Sequence, residues 1–133
     1  MPVLIEHPTE FSSQDLADFE KIYADMPAQL LAPFDGPDAL LQHAMQSNQL
    51  VVARFNGRLL GAALLLLEDT HWLLSHLCVR ALTRERGVGK RLLAEVQRCA
   101  HEQQKKLTLS IPEQLTQTQH WAADNNYKYQ LQL

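Results

Sequence analysis

The sequence predicts an α/β fold with a mixed central sheet, in one domain spanning residues 1–133. Asn56-Gly57 separates two apolar runs and is the strongest short signal for a β-hairpin, because a type I′ turn requires positive φ at both central residues. Residues 77–93 pass from an apolar strand through a basic turn into an amphipathic helix, which predicts a parallel crossover to the next strand. An antiparallel hairpin and a parallel crossover in one sheet make that sheet mixed. A chain of 133 residues is long enough for one such core and too short for two.

Two helices are predicted before the hairpin. The pattern Ser12-x-x-Asp15 is a helix start signal, and apolar residues then recur at helical spacing as far as Met26-Pro27. We expect residues 30–36 to form a loop. The second helix begins at Pro37, which suits the first turn of a helix, and residue 35 or 36 acts as its cap.

Strands and helices follow one another in the rest of the chain. Residues 62–67 could be read as helical, but the hairpin turn and the short reversal favour a strand that is buried on both faces. The helix after the basic turn carries its apolar residues on one face; they are Val88, Leu92, Leu93, Val96 and Ala100. The predicted strands are Gln49 to Phe55, Arg58 to Leu67, His71 to Val79, Lys106 to Ile111 and Tyr127 to Leu133. The predicted helices are Gly87 to Gln104 and Leu115 to Asn125.

Composition excludes several classes of protein. The net charge of -3 argues against a nucleic-acid binder with a broad basic face, and positive charge is concentrated in residues 80–91. With no run of about 18 apolar residues and no visible secretory signal, we expect no membrane association and a cytoplasmic location. Cys78 and Cys99 are expected to be free thiols in a reducing compartment. The six histidines form no i, i+4 pair, so we expect no metal site.

The basic glycine turn, residues 84–91, predicts an anion-binding site. A helix N-terminus leaves backbone N–H groups unpaired and carries partial positive charge. Gly87 and Gly89 remove the side chains that would keep a phosphate away from those groups. Four cationic side chains surround the same turn: Arg84, Arg86, Lys90 and Arg91. The turn is therefore expected to hold a pyrophosphate.

The pattern Val79-x-x-x-x-Arg84-x-x-Gly87-x-Gly89-x-x-Leu92-Leu93 resembles motif A of the GNAT superfamily of N-acetyltransferases. The order of elements agrees over nearly the whole chain, with a first strand near Val3 to Ile5. Two departures are Ala81, where the family often has proline, and Glu85, where it often has glycine. The resemblance implies acetyl-CoA binding, with strand backbone on the pantetheine arm and turn amides on the pyrophosphate. The expected contacts are Leu77, Cys78, Val79, Arg84, Arg86, Gly87, Val88, Gly89, Lys90 and Arg91.

Two segments are more specifically similar to the PanZ group of small GNAT-like proteins: residues 53–60 and 79–96. This resemblance implies an acetyl-CoA sensor that binds the aspartate decarboxylase precursor and promotes its self-cleavage into the pyruvoyl form. On the hairpin, Arg54 and Asn56 match by position and are the expected partner contacts. The alternative is plain turn chemistry, because Asn-Gly serves any hairpin. The segment 31–46 is longer than in that group, which could change the contacts to a partner.

Catalytic residues are harder to find. GNAT enzymes commonly use a tyrosine of the last helix as the acid, and the corresponding position here is Ala122, which cannot donate a proton. The weak candidates for an acid or base are His76 and His120, and the residues reveal no nucleophile–base pair. The favoured hypothesis is therefore a regulator with weak or no transferase activity. The alternatives are an active N-acetyltransferase that acetylates an unidentified amine, and a structural protein with no nucleotide ligand. A monomer or small homo-oligomer is expected.

Overall fold

The structure, a computed structural model, describes residues 3–24, 26–80 and 87–132 and contains a six-stranded sheet with strand order β1 to β6. The strands are β1 (Leu4–Glu6), β2 (Leu50–Phe55), β3 (Arg58–Leu67), β4 (His71–Val79), β5 (Lys106–Pro112) and β6 (Lys128–Gln132). The helices are α1 (Ser13–Tyr23), α2 (Pro37–Ser47), α3 (Val88–Glu102) and α4 (Thr116–Asp124), with a short 3-10 helix at Ala28–Leu31.

The sheet is mixed, as predicted. Strands β1 to β4 are antiparallel neighbours, whereas β4, β5 and β6 run parallel to one another. Asn56 and Gly57 form the turn between β2 and β3 with φ values of 54° and 77°, as the Asn-Gly signal requires. Helices α3 and α4 provide the two crossovers between parallel strands. This order brings the ends of β4 and β5 together with the start of α3.

The segment between α1 and α2 differs from the predicted boundaries. Helix α1 starts with a capping box at Ser12, as its sequence signal indicates, but it ends at Tyr23. The amide of Met26 donates to the carbonyl of Tyr23 at 3.1 Å, and the following Pro27 disfavours helical backbone at the residue before it. Part of the segment predicted as loop forms the 3-10 helix.

Two hydrophobic cores occupy opposite faces of the sheet. Alternate residues of β2 illustrate the division: Val51 and Ala53 face the α3 side, whereas Leu50 and Val52 face α1 and α2. All five apolar residues predicted on α3 are buried in the first core. Strand β3 is buried on both faces between the two layers, which explains its nearly continuous apolar sequence.

Two arginines of the β2–β3 hairpin bind carboxylates of α1. Asp18 is fully buried, accepts from the Arg58 guanidinium at 2.7 Å and accepts from the Leu59 amide at 3.1 Å. Arg54 donates to Asp15 at 2.9 Å. These contacts fasten the hairpin to the first helix.

The described residues include no helix with both the length and the apolar character needed to cross a membrane. They also include no cluster of three or more His, Cys, Asp or Glu side chains arranged to hold a metal ion.

Candidate functional site

A cleft opens where β4 and β5 separate. The two strands pair only from His71 to Leu74 on β4, which match Lys106 to Leu109 on β5. Beyond that point β4 continues along β3, and β5 continues along β6. The β4–β5 cleft has a volume of about 250 Å³ and is mainly apolar. Its apolar residues include Met26, Leu30, Leu74, Leu109, Ile111, Leu115 and Trp121, and its polar residues are Ser75, His76, Ser110, Thr118 and Gln132.

A β-bulge at His76 turns the last part of β4. Ala62 lies opposite Cys78 but Leu64 lies opposite Ser75, so β4 has one more residue than β3 across this interval. His76 is in the left-handed region with φ of 55°. The hydroxyl of Tyr23, a fully buried residue, donates to the His76 carbonyl at 2.6 Å and holds the bulge against α1. Burial also raises the pKa of Tyr23 well above its usual value, so this hydroxyl keeps its proton.

The imidazole of His76 is engaged at both nitrogens. Nε2 lies 2.8 Å from the carbonyl oxygen of Ala32, which can only accept, so Nε2 carries the proton. Nδ1 lies 2.9 Å from Oγ of Ser75 and accepts its hydroxyl proton when the ring is neutral. Burial lowers the pKa of His76 and favours this neutral form. The sequence did not reveal this contact between a hydroxyl and an imidazole. In a regular strand adjacent side chains point to opposite faces, and only the bulge brings these two together.

The three strand residues expected beside a pantetheine arm, Leu77, Cys78 and Val79, line this cleft. Leu77 and Val79 pack towards the α3 core. The Cys78 thiol is buried on the α1 side and donates to the Ile22 carbonyl at 3.1 Å. The free thiol expected at this position is present, and it is held in the core.

The N-terminus of α3 lies next to the end of β4. Gly87 is the N-cap residue with φ of 82°, and among the described residues no side chain caps this end of the helix. The first amides of a helix are the groups that bind an anion at such an end. A Cβ on Gly89 would lie 3.5 Å from a methyl group of Val79, and one on Gly61 would lie 3.4 Å from Val79 and Val88. Sequence reasoning missed Gly61, which lets the first turn of α3 approach the sheet. Among the remaining expected contacts, Lys90 and Arg91 are exposed on the first turn, and Arg84 and Arg86 lie outside the described residues.

Gly87→Ala should destabilise the protein by about 1 kcal/mol, because a residue with a Cβ pays that cost in the left-handed region. Among the residues that the structure describes, no atom lies within 4 Å of the added Cβ, so the effect is assigned to backbone conformation. Urea denaturation would measure the free energy of unfolding. Gly89→Ala is the control: its helical backbone accepts a side chain, and no loss is expected. Equal losses in the two variants would contradict the assignment of strain to Gly87.

The last helix supplies no proton donor at the position where GNAT enzymes often have tyrosine. Ala122 is completely buried in the core. Trp121 lines the cleft and stacks on Tyr127 with ring centroids 5.5 Å apart. His120 is exposed on α4, away from the residues that line the cleft, so the structure does not bring it together with His76. Gln132 of β6 donates to the same Ala32 carbonyl as His76, at 3.1 Å, and joins β6 to the segment before α2.

The two expected partner contacts differ in their surroundings. Asn56 is exposed at the tip of the hairpin. The Arg54 side chain is 20% exposed and forms ion pairs with Asp15 and Glu6. The Arg54 side chain therefore stabilises the hairpin through these ion pairs. The Asn56 amide group is exposed to solvent.

A protein-family model described as "Acetyltransferase (GNAT) domain, PanZ" matches residues 2–125 of this chain. The chain is 38% identical over 92 residues to the PanD regulatory factor of Salmonella typhimurium strain LT2, which covers 69% of this chain and 61% of that protein. It is 37% identical over 98 residues to the PanD regulatory factor of Escherichia coli strain K12, which covers 74% of this chain and 68% of that protein. The chain thus aligns with less than two thirds of the Salmonella protein.

Solved structures agree on the fold. The PaiA N-acetyltransferase of Thermoplasma acidophilum, in complex with coenzyme A, superposes with a TM-score of 0.68 over 94% of this chain and 89% of that chain. At 17% identity this similarity establishes the GNAT fold alone. The family match over residues 2–125 and the two sequence relatives establish that the chain belongs to the PanZ family of GNAT domains.

Proposed function

We propose that this chain binds acetyl-CoA and regulates the maturation of aspartate decarboxylase (PanD), with weak or no transferase activity towards amines. The observation that carries the proposal is the PanZ-family match over residues 2–125. Both sequence relatives bear the name PanD regulatory factor. In this proposal the partner is the decarboxylase precursor and the small-molecule ligand is acetyl-CoA.

The described residues fit acetyl-CoA. The cleft between β4 and β5 offers an apolar channel for the pantetheine arm, beside the backbone of Leu77 to Val79. The cleft runs along β4 towards the N-terminus of α3, where Gly87 and Gly89 have no side chain to keep the pyrophosphate from the amides. Lys90 and Arg91 are placed on the same turn to add positive charge. Arg84 and Arg86 are proposed as further contacts from the sequence.

Two features support a regulator over an amine acetyltransferase. GNAT enzymes often place a tyrosine of the last helix close to the departing thiolate as the acid, and the corresponding residue here is the buried Ala122. On the α1 side, the Ala32 carbonyl binds both His76 and Gln132, so the segment before α2 is tied to β4 and to β6. These contacts close the cleft on this side and leave these polar groups already hydrogen-bonded.

Asn56→Gly should impair maturation of the decarboxylase without unfolding the hairpin. Glycine adopts the positive φ of this turn readily, so the substitution removes only the exposed amide group. We expect at least a roughly 10-fold slower self-cleavage of the precursor, about 1.4 kcal/mol of lost partner binding at subsaturating concentration. Gel electrophoresis would follow the cleavage of purified precursor mixed with this protein and acetyl-CoA.

The matched control is Asn126→Gly, which also replaces a left-handed asparagine but lies after α4. It should leave cleavage unchanged. If both variants and the parent protein promote cleavage at the same rate, Asn56 does not contact the partner.

A panel of amines tested with acetyl-CoA distinguishes a regulator from an enzyme. Robust release of CoA with any amine would overturn the regulator proposal.

A further inference from the structure

Ser75 and His76 form a hydroxyl–imidazole pair that binding of acetyl-CoA does not require. Oγ of Ser75 lies 2.9 Å from Nδ1, and Nε2 lies 2.8 Å from the carbonyl of Ala32. Both side chains line the β4–β5 cleft. A nucleophile bonded to a base, with the base oriented by a third group, is the arrangement that activates hydroxyl groups in acyl transfer.

The fold holds this pair in one geometry. The Ala32 carbonyl selects the tautomer with the proton on Nε2, which leaves Nδ1 as the acceptor for the Ser75 proton. His76 occupies the left-handed region, a conformation that persists only where the surroundings enforce it. Here Tyr23 binds its carbonyl and Ala32 binds its ring. The ring of Phe34 packs edge-on against the imidazole, with centroids 5.4 Å apart.

We propose that Ser75 accepts the acetyl group of acetyl-CoA bound in the β4–β5 cleft, so that the chain carries an acetyl ester. This inference rests on the proposed binding of acetyl-CoA. Oγ of Ser75 forms a bond to the thioester carbonyl carbon, and its proton passes to Nδ1 of His76. The carbon–sulfur bond then breaks, and the same proton passes from Nδ1 to the departing sulfur to give free CoA. The step exchanges a thioester for an oxygen ester and involves no change of oxidation state.

The surroundings of Ser75 explain why the acetyl group would remain there. Most of the cleft lining is apolar, which limits the water available to hydrolyse the ester. The Ala32 carbonyl accepts from both His76 and Gln132, which holds the imidazole in place beside Ser75. The reaction would convert reversible binding of acetyl-CoA into a covalent mark on β4.

Mass spectrometry of the full chain after incubation with acetyl-CoA tests the proposal. We expect one acetyl group on the peptide that contains Ser75. It should be absent from Ser75→Ala and present in Ser47→Ala, the matched control, because Ser47 lies on α2 outside the cleft and bonds to the backbone carbonyl of His43. His76→Gln should slow the modification by about 100-fold, the usual contribution of a general base.

Calorimetry with CoA and acetyl-CoA accompanies the mass spectra and separates the two proposals. Binding of acetyl-CoA without any acetylation of Ser75 overturns the acyl-serine and leaves the proposed function standing. Acetylation of lysines to the same extent in the parent and in Ser75→Ala, with no acetyl on Ser75, overturns it as well. If neither CoA nor acetyl-CoA binds, the proposed function is overturned. The proposal that Ser75 is acetylated is then overturned as well, because it requires bound acetyl-CoA.

Discussion

Replacement of Gly89 by valine should abolish binding of acetyl-CoA while the protein remains folded. Gly89 lies in the first turn of α3. A Cβ at this position would lie 3.5 Å from a methyl group of Val79, which is an ordinary contact distance. The two γ-methyl groups of valine add bulk beside the first amides of the helix, where the pyrophosphate would approach. We expect the dissociation constant to rise by at least roughly 100-fold, or about 2.7 kcal/mol, in isothermal titration calorimetry.

Ala94→Val is the control for this experiment. Ala94 lies on the exposed face of the same helix, so the substitution adds the same β-branched bulk away from the cleft. Thermal denaturation without ligand should give similar midpoints for both variants, because valine is tolerated in helices at a small cost. If Gly89→Val binds acetyl-CoA with unchanged affinity, the pyrophosphate binds elsewhere and the basic glycine turn is not part of the ligand site.

Asp18→Ala should lower the free energy of unfolding at neutral pH by about 2 kcal/mol. The substitution removes the acceptor of the buried Leu59 amide, and an unsatisfied buried N–H costs about that amount. It also deprives the Arg58 guanidinium of its three hydrogen bonds to the carboxylate. Urea denaturation measures the loss, and Asp35→Ala in the exposed segment before α2 is the control that should show none. If Asp18→Ala lowers the free energy of unfolding no more than Asp35→Ala does, Asp18 does not fasten α1 to the hairpin.

The same residue predicts a dependence of stability on acid. Hydrogen bonds from Arg58 hold the pKa of Asp18 at about 2, below its usual 3.8, although burial acts in the opposite direction. Because the folded pKa is depressed, the stabilisation is fully present above about pH 4 and is lost as the pH falls towards 2. Asp18→Asn keeps the shape and cannot titrate. The difference in unfolding free energy between the parent and this variant should narrow between pH 4 and pH 2, and a constant difference would contradict the assignment.

Local patterns were sufficient to predict most of the fold. The Asn56-Gly57 turn, the apolar face of α3 and the capping box of α1 each depend on residues a few positions apart, so the sequence reveals them directly. The expected anion-binding turn rests on the same kind of local signal, glycine beside a helix start, and stays a prediction. The end of α1 and the 3-10 helix were less predictable, because Pro27 disfavours helix just before it without fixing the last helical residue, and helix boundaries vary by a residue or two.

The candidate site, in contrast, depends on contacts between residues that lie far apart in the sequence. His76 and Ser75 are neighbours in the sequence, yet their pairing depends on a bulge held by Tyr23 and Ala32, which lie 53 and 44 residues from His76. Arg54 matched a family position on the hairpin, and only the folded chain shows it bound to Asp15 and Glu6.

The sequence by itself determined the order of elements, the mixed sheet and the turn suited to a pyrophosphate, because these follow from local backbone preferences and hydrophobic periodicity. Only the tertiary structure decided how the ends of β4 and β5 separate, which polar groups face the resulting cleft and which are already bound. Those features arise from hydrogen bonds between segments far apart in the chain, and no short-range pattern encodes such contacts.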